Sequence, residues 1–334
     1  MSKHFKILSI DGGGIKGLYS AKVLSVFEKS FGTNLSDHFD LICGTSTGGL
    51  IALAASIGIP MSNVVKFYKE HGNEIFASKL KHFGKLGNVL LGIRQAVCTS
   101  KYKQKPLREA LEKVFGSRKI CESNNLLCIP AYNLTNAQPR IFKRDYKSLD
   151  RDNNTSYVDV GLATSAAPTY FPIKEIDNND YVDGGVFANN PVLVGLTEYM
   201  YMWSNKNMFD GVDILSVSSC ENSLAWSPKH LRRSFFKWRD NLFDCYSHGQ
   251  IMTEDFFLKQ LKDSLNFDLN IVRVKNAPIS SQQEEFIGMD NASKYALKTL
   301  EGIGEQTGNI FKEKQEVMNF FTTLKTINPN DYGK

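Results

Sequence analysis

The sequence predicts an α/β fold with a mostly parallel central sheet, because one pattern occurs twice near the amino terminus. Residues 5–10 and 39–43 are short apolar runs of the kind that form buried strands. Each run leads into a glycine-rich turn and then into an apolar helix, at residues 15–27 and 50–57. A strand, a tight turn and a helix in succession are typical of a parallel sheet covered by helices.

The rest of the chain adds further strands and helices. Asn190 followed by Pro191 predicts a helix that runs to residue 203, because Asn caps the first N–H groups and Pro has none to satisfy. The tail, residues 291–325, predicts two helices broken near residues 302–304. Four further apolar segments predict strands, at residues 126–132, 139–143, 213–218 and 269–274.

Length and composition bound the class of protein. With 334 residues, 42% of them apolar and 22% charged, the chain has the composition of a globular protein and not of a disordered or fibrous one. It shows no internal repeat and no linker. We therefore expect one domain over residues 1–334, with the motifs below inside residues 5–203 and the last strands and C-terminal helices in residues 204–334.

Charge and hydropathy argue against a nucleic-acid partner and a membrane span. The net charge of +5 is too small to favour DNA or RNA. The longest weakly polar run, residues 48–61, is too short to cross a hydrocarbon core about 30 Å thick, and the amino terminus lacks a secretory signal. The six cysteines form no C-x-x-C pair. We therefore expect reduced thiols, no metal site and a cytoplasmic location.

The sequence Gly44-Thr45-Ser46-Thr47-Gly48 is a G-x-S-x-G motif, and it lies where a predicted strand meets a predicted helix. A serine nucleophile needs such a sharp strand-to-helix turn, because the turn holds the hydroxyl above the edge of the sheet. The turn is strained, and the flanking Gly44 and Gly48 remove side chains that would clash there. The motif therefore predicts that Ser46 is a nucleophile.

A second glycine-rich turn, Asp11-Gly12-Gly13-Gly14-Ile15-Lys16-Gly17, follows the first strand. Three of its glycines match G-x-G-x-x-G, which suggests a dinucleotide-binding turn. That interpretation requires an acid at the end of the next strand, but Asp37 and Asp40 lie before that strand or at its start. The alternative is an oxyanion hole, in which glycine N–H groups approach the developing negative oxygen of a substrate.

A serine nucleophile also needs a base, and none of the six histidines lies in a glycine-rich loop or after a clear strand. Asp183 is the better candidate, because it ends a short apolar segment and is followed by Gly184 and Gly185, which expose its carboxylate in a loop. A Ser–Asp–His triad with His230 or His248 as the base is the alternative.

Two basic stretches stand apart from the rest of the chain. Residues 79–108 contain Lys and Arg but no acid, together with three glycines and a short apolar run. Residues 229–239 combine basic and aromatic side chains. One interpretation of each stretch is a solvated basic face. The other is a functional segment, namely a lid, a membrane-facing surface or a site for an anionic ligand.

The order of these motifs resembles that of the patatin-like phospholipases. The first glycine box, the G-x-S-x-G motif and Asp-Gly-Gly occur in the family's order, with Ala163-Thr-Ser-Ala-Ala-Pro-Thr-Tyr-Phe-Pro172 ahead of the last, and the resemblance covers residues 5–203. It implies a three-layer α/β/α fold and hydrolysis of lipid acyl esters without a cofactor. By this resemblance Ser46 is the nucleophile and Asp183 is its only partner, so that the two form a Ser–Asp dyad. The resemblance also implies that Gly12, Gly13 and Gly14 form the oxyanion hole.

The chain looks most like the bacterial members of this family that act in anti-phage systems. In those proteins a cyclic di- or trinucleotide switches on phospholipid degradation. The resemblance therefore implies a membrane surface as substrate, peripheral action at the inner membrane and a cyclic-nucleotide activator, although no ligand-binding residue carries over. The alternatives are a constitutive lipase, a nucleotide-binding protein without ester chemistry and a lipid carrier. The apolar stripe of the tail can pack within the chain or between subunits, so a homo-oligomer is a further alternative.

Overall fold

One sheet of eight strands lies at the centre of the protein, which we describe from a computed structural model over residues 3–77, 100–146, 149–202, 208–221 and 235–331. The strands are β1 (His4–Ile10), β2 (Leu41–Gly44), β3 (Leu126–Asn133), β4 (Gln138–Lys143), β5 (Lys174–Ile176), β6 (Asn179–Asp183), β7 (Gly211–Val217) and β8 (Asp268–Val274). Hydrogen-bonded neighbours follow the path β5-β6-β3-β2-β1-β7-β8, and β4 also pairs with β3. The neighbours among β1, β2, β3, β7 and β8 are parallel, whereas β4, β5 and β6 pair antiparallel.

Helices cover both faces of this sheet. They are α1 (Gly17–Phe31), α2 (Thr47–Ser56), α3 (Met61–Ile75), α4 (Gln104–Phe115), α5 (Tyr157–Thr164), α6 (Val192–Met202), α7 (Phe235–Leu261), α8 (Ser281–Glu284), α9 (Lys294–Phe311) and α10 (Gln315–Met318). Successive residues of β1 point to opposite faces, so Ile7 joins an apolar cluster with α6 while Leu8 joins one with α1, α2 and α3. This arrangement confirms the three-layer α/β/α fold that the sequence predicts.

Two strands, β2 and β6, pair end to end along the same side of β3. Its first half pairs with β2, with Cys43 beside Cys128, and its second half pairs with β6, with Asp183 beside Ala131. Because β4 pairs with both halves of β3, β2 and β6 share the opposite side. β2 is parallel to β3 and β6 is antiparallel to it, so their carboxyl ends point toward each other. The turn after β2 and the last residue of β6 therefore meet.

The predicted strands agree closely with the structure, but the predicted break in the tail is wrong. α9 continues through residues 302–304 as one helix. A Cβ on Gly304 would lie 2.7 Å from the Tyr19 carbonyl oxygen, and a Cβ on Gly308 would lie 2.7 Å from the Val26 Cβ. These glycines therefore allow α9 to approach α1 closely and do not end a helix. After α9, the tail contains only the short helix α10 and 3₁₀ turns within the described residues.

Asp40, which the dinucleotide interpretation would require near a ribose, is a structural residue. Its buried carboxylate accepts hydrogen bonds from the Lys6 N–H at 2.8 Å and from the N–H groups of Thr326 and Ile327 at 2.6 and 2.7 Å. These bonds tie the carboxyl-terminal segment to β1. A carboxylate that is buried and directed at the protein's own backbone argues against a ribose-binding role.

Candidate active site

Ser46 lies in a sharp turn between β2 and α2. Its backbone has φ 55° and ψ −123°, and such a positive φ is strained for a residue with a side chain. A Cβ on Gly44 would lie 2.1 Å from the Gly48 carbonyl oxygen, and a Cβ on Gly48 would lie 2.2 Å from the Ile10 carbonyl oxygen. The Ser46 N–H donates to Thr164 Oγ1 at 3.0 Å, and this bond fixes the turn against α5.

Asp183 is the last residue of β6 and meets Ser46 where β2 and β6 face each other. The Ser46 side chain lies close enough to the Asp183 carboxylate to lower its pKa, and the carboxylate Oδ1 accepts a hydrogen bond from the Gly185 N–H at 2.7 Å. A Cβ on Gly184 would lie 2.4 Å from the Pro130 carbonyl oxygen, so only glycine lets the chain pass this close to β3. The structure thus brings together the serine and the aspartate that the sequence singles out.

Burial controls the protonation of Asp183. Burial of the carboxyl group raises its pKa to about 7, although the hydrogen bonds from Ser46 and Gly185 oppose the shift. An aspartate with an ordinary pKa of about 4 is too weak a base to take a proton from serine at neutral pH. The raised pKa therefore suits a general base that works near neutrality.

The glycine-rich turn after β1 lies directly against Ser46. A Cβ on Gly12 would lie 3.3 Å from the Ser46 Cβ. The Gly12 N–H donates to the Asn189 carbonyl oxygen at 2.9 Å, so this group is already engaged and the predicted role of Gly12 as an oxyanion donor needs correction. Among the described residues, no acceptor is found for the N–H groups of Gly13 and Gly14. These two groups stay as the predicted donors.

Two contacts position this glycine-rich turn. The carboxylate of Asp11 forms a bidentate ion pair with Arg273 of β8, with nitrogen–oxygen distances of 2.9 and 2.6 Å. Gly17 allows α1 to pack against the start of α2, because a Cβ there would lie 2.1 Å from Thr47 Oγ1. Sequence reasoning missed both Arg273 and Asn189, because no local pattern marks them and each acts on a turn far away along the chain.

An apolar cavity opens beside Ser46. Its empty volume, which includes its open mouth, is about 570 Å³. Most of its lining is aliphatic or aromatic, and includes Ile15, Leu50, Phe67, Ile75, Phe76 and Phe171. An ester whose carbonyl group lies at Ser46 can therefore place a hydrocarbon chain against mostly apolar side chains.

The histidine alternative gains no support from the part of the chain that the structure describes. His248 lies on α7 and lines a polar pocket that Gly12 and Gly13 also line. The side-chain hydrogen bonds of Asp183 come from Ser46 and Gly185, and no described histidine is among its partners. His230 lies outside the described residues.

Most of the basic stretch at residues 79–108 also lies outside the described residues, which resume at residue 100. In the described remainder two of the basic side chains face acids: Lys101 lies 2.5 Å from Asp290 and Arg108 lies 3.8 Å from Asp159. Within the described ranges, no three His, Cys, Asp or Glu side chains come together as metal ligands do. No helix there combines the length and the hydropathy that crossing a bilayer requires.

An α/β fold that presents a serine in a strained strand-to-helix turn is typical of ester hydrolases. Residues 8–196 match the family described as patatin-like phospholipase. The chain belongs to this family, as its motifs predict, and is an ester hydrolase.

Bacterial and plant members of the family are similar to this chain over most of their length. It is 32% identical over 303 residues to a cGAMP-activated phospholipase of Pseudomonas aeruginosa, covering 90% of this chain and 86% of that protein. It is 29% identical over 343 residues to a protein of the same name from Escherichia coli, covering 95% and 92%. It is 28% identical over 342 residues to patatin-like protein 1 of Arabidopsis thaliana, covering 90% and 80%.

Asp183→Asn should stabilise the fold more at high pH than at low pH. Burial raises the native pKa of Asp183 to about 7, above its unfolded value. The native state therefore binds the proton more tightly, and wild-type stability falls as pH rises between the two pKa values. Asparagine does not titrate. We compare the free energy of unfolding of the variant with that of the wild-type protein at each pH. We expect the variant's advantage at about pH 8 to exceed its advantage at about pH 5 by more than about 1 kcal/mol.

Urea unfolding at the two pH values measures this difference. Asp180→Asn is the matched control, because Asp180 lies in the same strand with an exposed side chain. An equal effect of Asp183→Asn at both pH values would contradict a raised native pKa.

Proposed function

We propose that the protein hydrolyses phospholipid acyl esters through a Ser46–Asp183 dyad. The observation that carries this proposal is the placement of Ser46, in its strained strand-to-helix turn, beside a buried carboxyl group whose pKa burial raises to about 7. A serine hydroxyl becomes a nucleophile when an adjacent base removes its proton, and Asp183 is the acid that the meeting ends of β2 and β6 bring next to Ser46. The apolar cavity beside Ser46 suits a fatty acyl chain.

The proposed reaction has two steps, and each returns Asp183 to its starting state. Asp183 accepts the Ser46 proton while Oγ attacks the acyl carbonyl carbon, and the N–H groups of Gly13 and Gly14 stabilise the oxyanion. The bond to the alcohol oxygen then breaks, Asp183 returns the proton to the departing lysolipid, and an acyl-serine ester remains. Water attacks this ester in the same way, so a fatty acid leaves and the Ser46 hydroxyl forms again.

Removal of either member of the dyad should abolish fatty-acid release without unfolding the protein. We expect Ser46→Ala and Asp183→Ala to lower kcat by about 1,000-fold or more on phospholipid vesicles, with fatty acid measured by mass spectrometry. In the wild-type protein, kcat/KM should rise with pH through a midpoint of about 7, because only the ionised carboxylate accepts the proton.

Ser62→Ala and Asp180→Ala are the controls for this experiment, because both side chains are exposed and lie on α3 and β6. Each should retain wild-type activity. Full activity of Asp183→Ala would sink the dyad, and a deep loss of activity in His248→Ala would favour the triad.

We also propose that the substrate is taken from a membrane surface on which α7 docks. One edge of α7 contacts the loop beside the site: the Tyr246 hydroxyl donates to the Val186 carbonyl oxygen, and Gln250 Oε1 accepts from the Asn189 N–H at 3.1 Å. Its outer side exposes apolar side chains at helical spacing, namely Leu242, Tyr246, Met252, Phe256 and Phe257.

This exposed face of α7 continues to the mouth of the site. Tyr246 lines an open groove with Leu134 and Ile173, and Phe171 belongs both to this groove and to the cavity beside Ser46. Leu134 and Ile173 are 42% and 54% exposed. A contiguous exposed apolar surface favours an interaction, and an apolar helix face that lies in a bilayer interface would present the groove to lipid. The expected surface is the cytoplasmic side of the inner membrane.

Charges on the outer face of α7 should separate membrane hydrolysis from ester hydrolysis. We expect Met252→Glu and Phe256→Glu together to lower binding to phospholipid vesicles by about tenfold or more, because each carboxylate must leave water to reach the interface. Hydrolysis of a dissolved short-chain ester should stay near the wild-type rate. Vesicle co-sedimentation measures the binding.

Ile310→Glu is the matched control, because Ile310 is an exposed apolar residue on a different helix, α9. It should bind vesicles as the wild-type protein does. Unchanged vesicle binding by the α7 variant would rule out this docking surface.

We further propose that a cyclic nucleotide switches on the activity, as part of an anti-phage response that degrades the cell membrane. Activation by a cyclic nucleotide is supported by the names of two bacterial relatives, cGAMP-activated phospholipases that match nearly the whole chain. The anti-phage role rests on the resemblance of the sequence motifs alone. The basic stretch at residues 79–108 is the candidate surface for the anionic ligand, because phosphate groups bind Lys and Arg. A constitutive lipase is the second candidate, since the plant relative carries a name that states no activator.

Addition of cGAMP should raise phospholipid hydrolysis by about tenfold or more, a change within the ordinary range of coupling between two sites. The measurement is fatty-acid release from mixed vesicles with and without a panel of cyclic di- and trinucleotides, with Ser46→Ala as the inactive control. An equally high rate without any nucleotide would identify a constitutive lipase. Nucleotide binding with no hydrolysis under any condition would identify a binding protein without ester chemistry.

A further inference from the structure

A second apolar cavity lies beyond the one beside Ser46. It is bordered by α2, α3 and α4 and has an empty volume of about 680 Å³, again including its mouth. Apart from Asn63 and the Tyr68 hydroxyl, its lining is apolar, and the residues that line it but not the first cavity include Ala54, Ile59, Val64, Leu111, Val114 and Phe115. Ser46 contacts the first cavity and not the second.

The two cavities share a wall formed by Leu50, Phe67 and Tyr68. Tyr68 is fixed in this wall, because its buried hydroxyl is hydrogen-bonded to the Thr47 hydroxyl, next to the nucleophile. Phe67 has no polar group to anchor it and is only half-buried. It packs edge-on against Tyr68, with ring centroids 5.6 Å apart. A change of rotamer at Phe67 therefore breaks no hydrogen bond, whereas a shift of Tyr68 would break one.

We propose that the second cavity binds the distal end of a long fatty acyl chain whose ester carbonyl lies at Ser46. This inference rests on the proposed hydrolysis of acyl esters. A chain that fills the first cavity reaches the shared wall, and rotation of the Phe67 ring joins the two spaces. Methylene groups beyond the wall then leave water for apolar surroundings, which strengthens binding of long chains and leaves short chains unaffected.

The second cavity thus becomes the part of the protein that sets acyl-chain length, and Val114 is the position at which this role is easiest to isolate. Val114 lies on α4, is half-buried, and lines the second cavity but not the first. Its neighbour Lys113 lies on the same helix with an exposed side chain. The two positions therefore allow the same residue to be introduced into the cavity and into solvent.

The experiment compares p-nitrophenyl butyrate with p-nitrophenyl palmitate, single-chain esters that differ only in chain length. In Val114→Trp the indole fills the second cavity. We expect kcat/KM for palmitate to fall about tenfold relative to butyrate, a change that matches the burial of roughly two methylene groups. Lys113→Trp should leave the ratio of the two rates unchanged. Phe67→Ala removes part of the wall and should raise the ratio of palmitate to butyrate.

A thermal melt of each variant shows whether it is folded. If Val114→Trp melts at a lower temperature than wild type, Val114→Phe, which has a smaller ring, replaces it.

Binding provides a second readout that does not depend on hydrolysis. Palmitate binding to the Ser46→Ala protein, measured by isothermal titration calorimetry, should weaken about tenfold when Val114→Trp is added, by the same burial of methylene groups. Butyrate binding should not change.

An unchanged ratio of palmitate to butyrate in the folded cavity variant would overturn the inference. A loss confined to diacyl phospholipids would overturn it too, because it would place the second chain of the lipid, and not the distal end of the cleaved chain, in this cavity. If the wild-type protein hydrolyses neither ester, with or without cGAMP, the proposed function fails, and the calorimetric comparison alone then decides whether the cavity binds long chains.

Discussion

The site depends on one constraint of the sheet, which is that β2 and β6 occupy the same side of β3 and end face to face. Ladder hydrogen bonds to β3 hold both strand ends, so the sheet itself sets the separation between the Ser46 hydroxyl and the Asp183 carboxylate. Functional groups on rigid elements are held more accurately than groups on loops. The glycines at this junction follow from the same constraint, because the turn after β2 and the turn after β6 both pass within contact distance of backbone oxygens.

Reactivity at this junction is obtained at the expense of stability. Ser46 holds a strained positive φ, and Asp183 is a buried acid without a cationic partner among the groups that shift its pKa. Two other buried acids, Asp11 and Asp40, are held differently. Asp11 has Arg273 as a bidentate partner, and Asp40 accepts three backbone N–H groups. The contrast indicates that Asp183 is kept ready to accept a proton, while the other two acids hold the structure together.

The sequence predicts the features that arise from local chemistry. Six of the eight strands are recognisable as apolar runs, whereas β5 and β6 are short, contain charged residues and were not predicted. The glycine motifs are recognisable because each marks a turn where a Cβ does not fit. Features that depend on contacts far apart along the chain are not recognisable. The glycines of α9 look like a helix break until α1 is seen packed against them, and the support that Arg273 gives to Asp11 crosses 262 positions of sequence. Helix α7 was missed because it buries polar residues such as Ser247 and Glu254 and exposes apolar ones such as Phe256, the reverse of the pattern that marks a surface helix.

Covalent labelling with an alkyl fluorophosphonate tests the central claim most directly, because an activated serine oxygen displaces fluoride from phosphorus and stays attached. The account predicts a label on Ser46, identified by peptide mapping. The labelling rate should rise as pH increases through about 7 and should fall by about a hundredfold or more in Asp183→Asn, the contribution expected of a general base. A label on a different residue, or an undiminished rate in Asp183→Asn, would contradict the account.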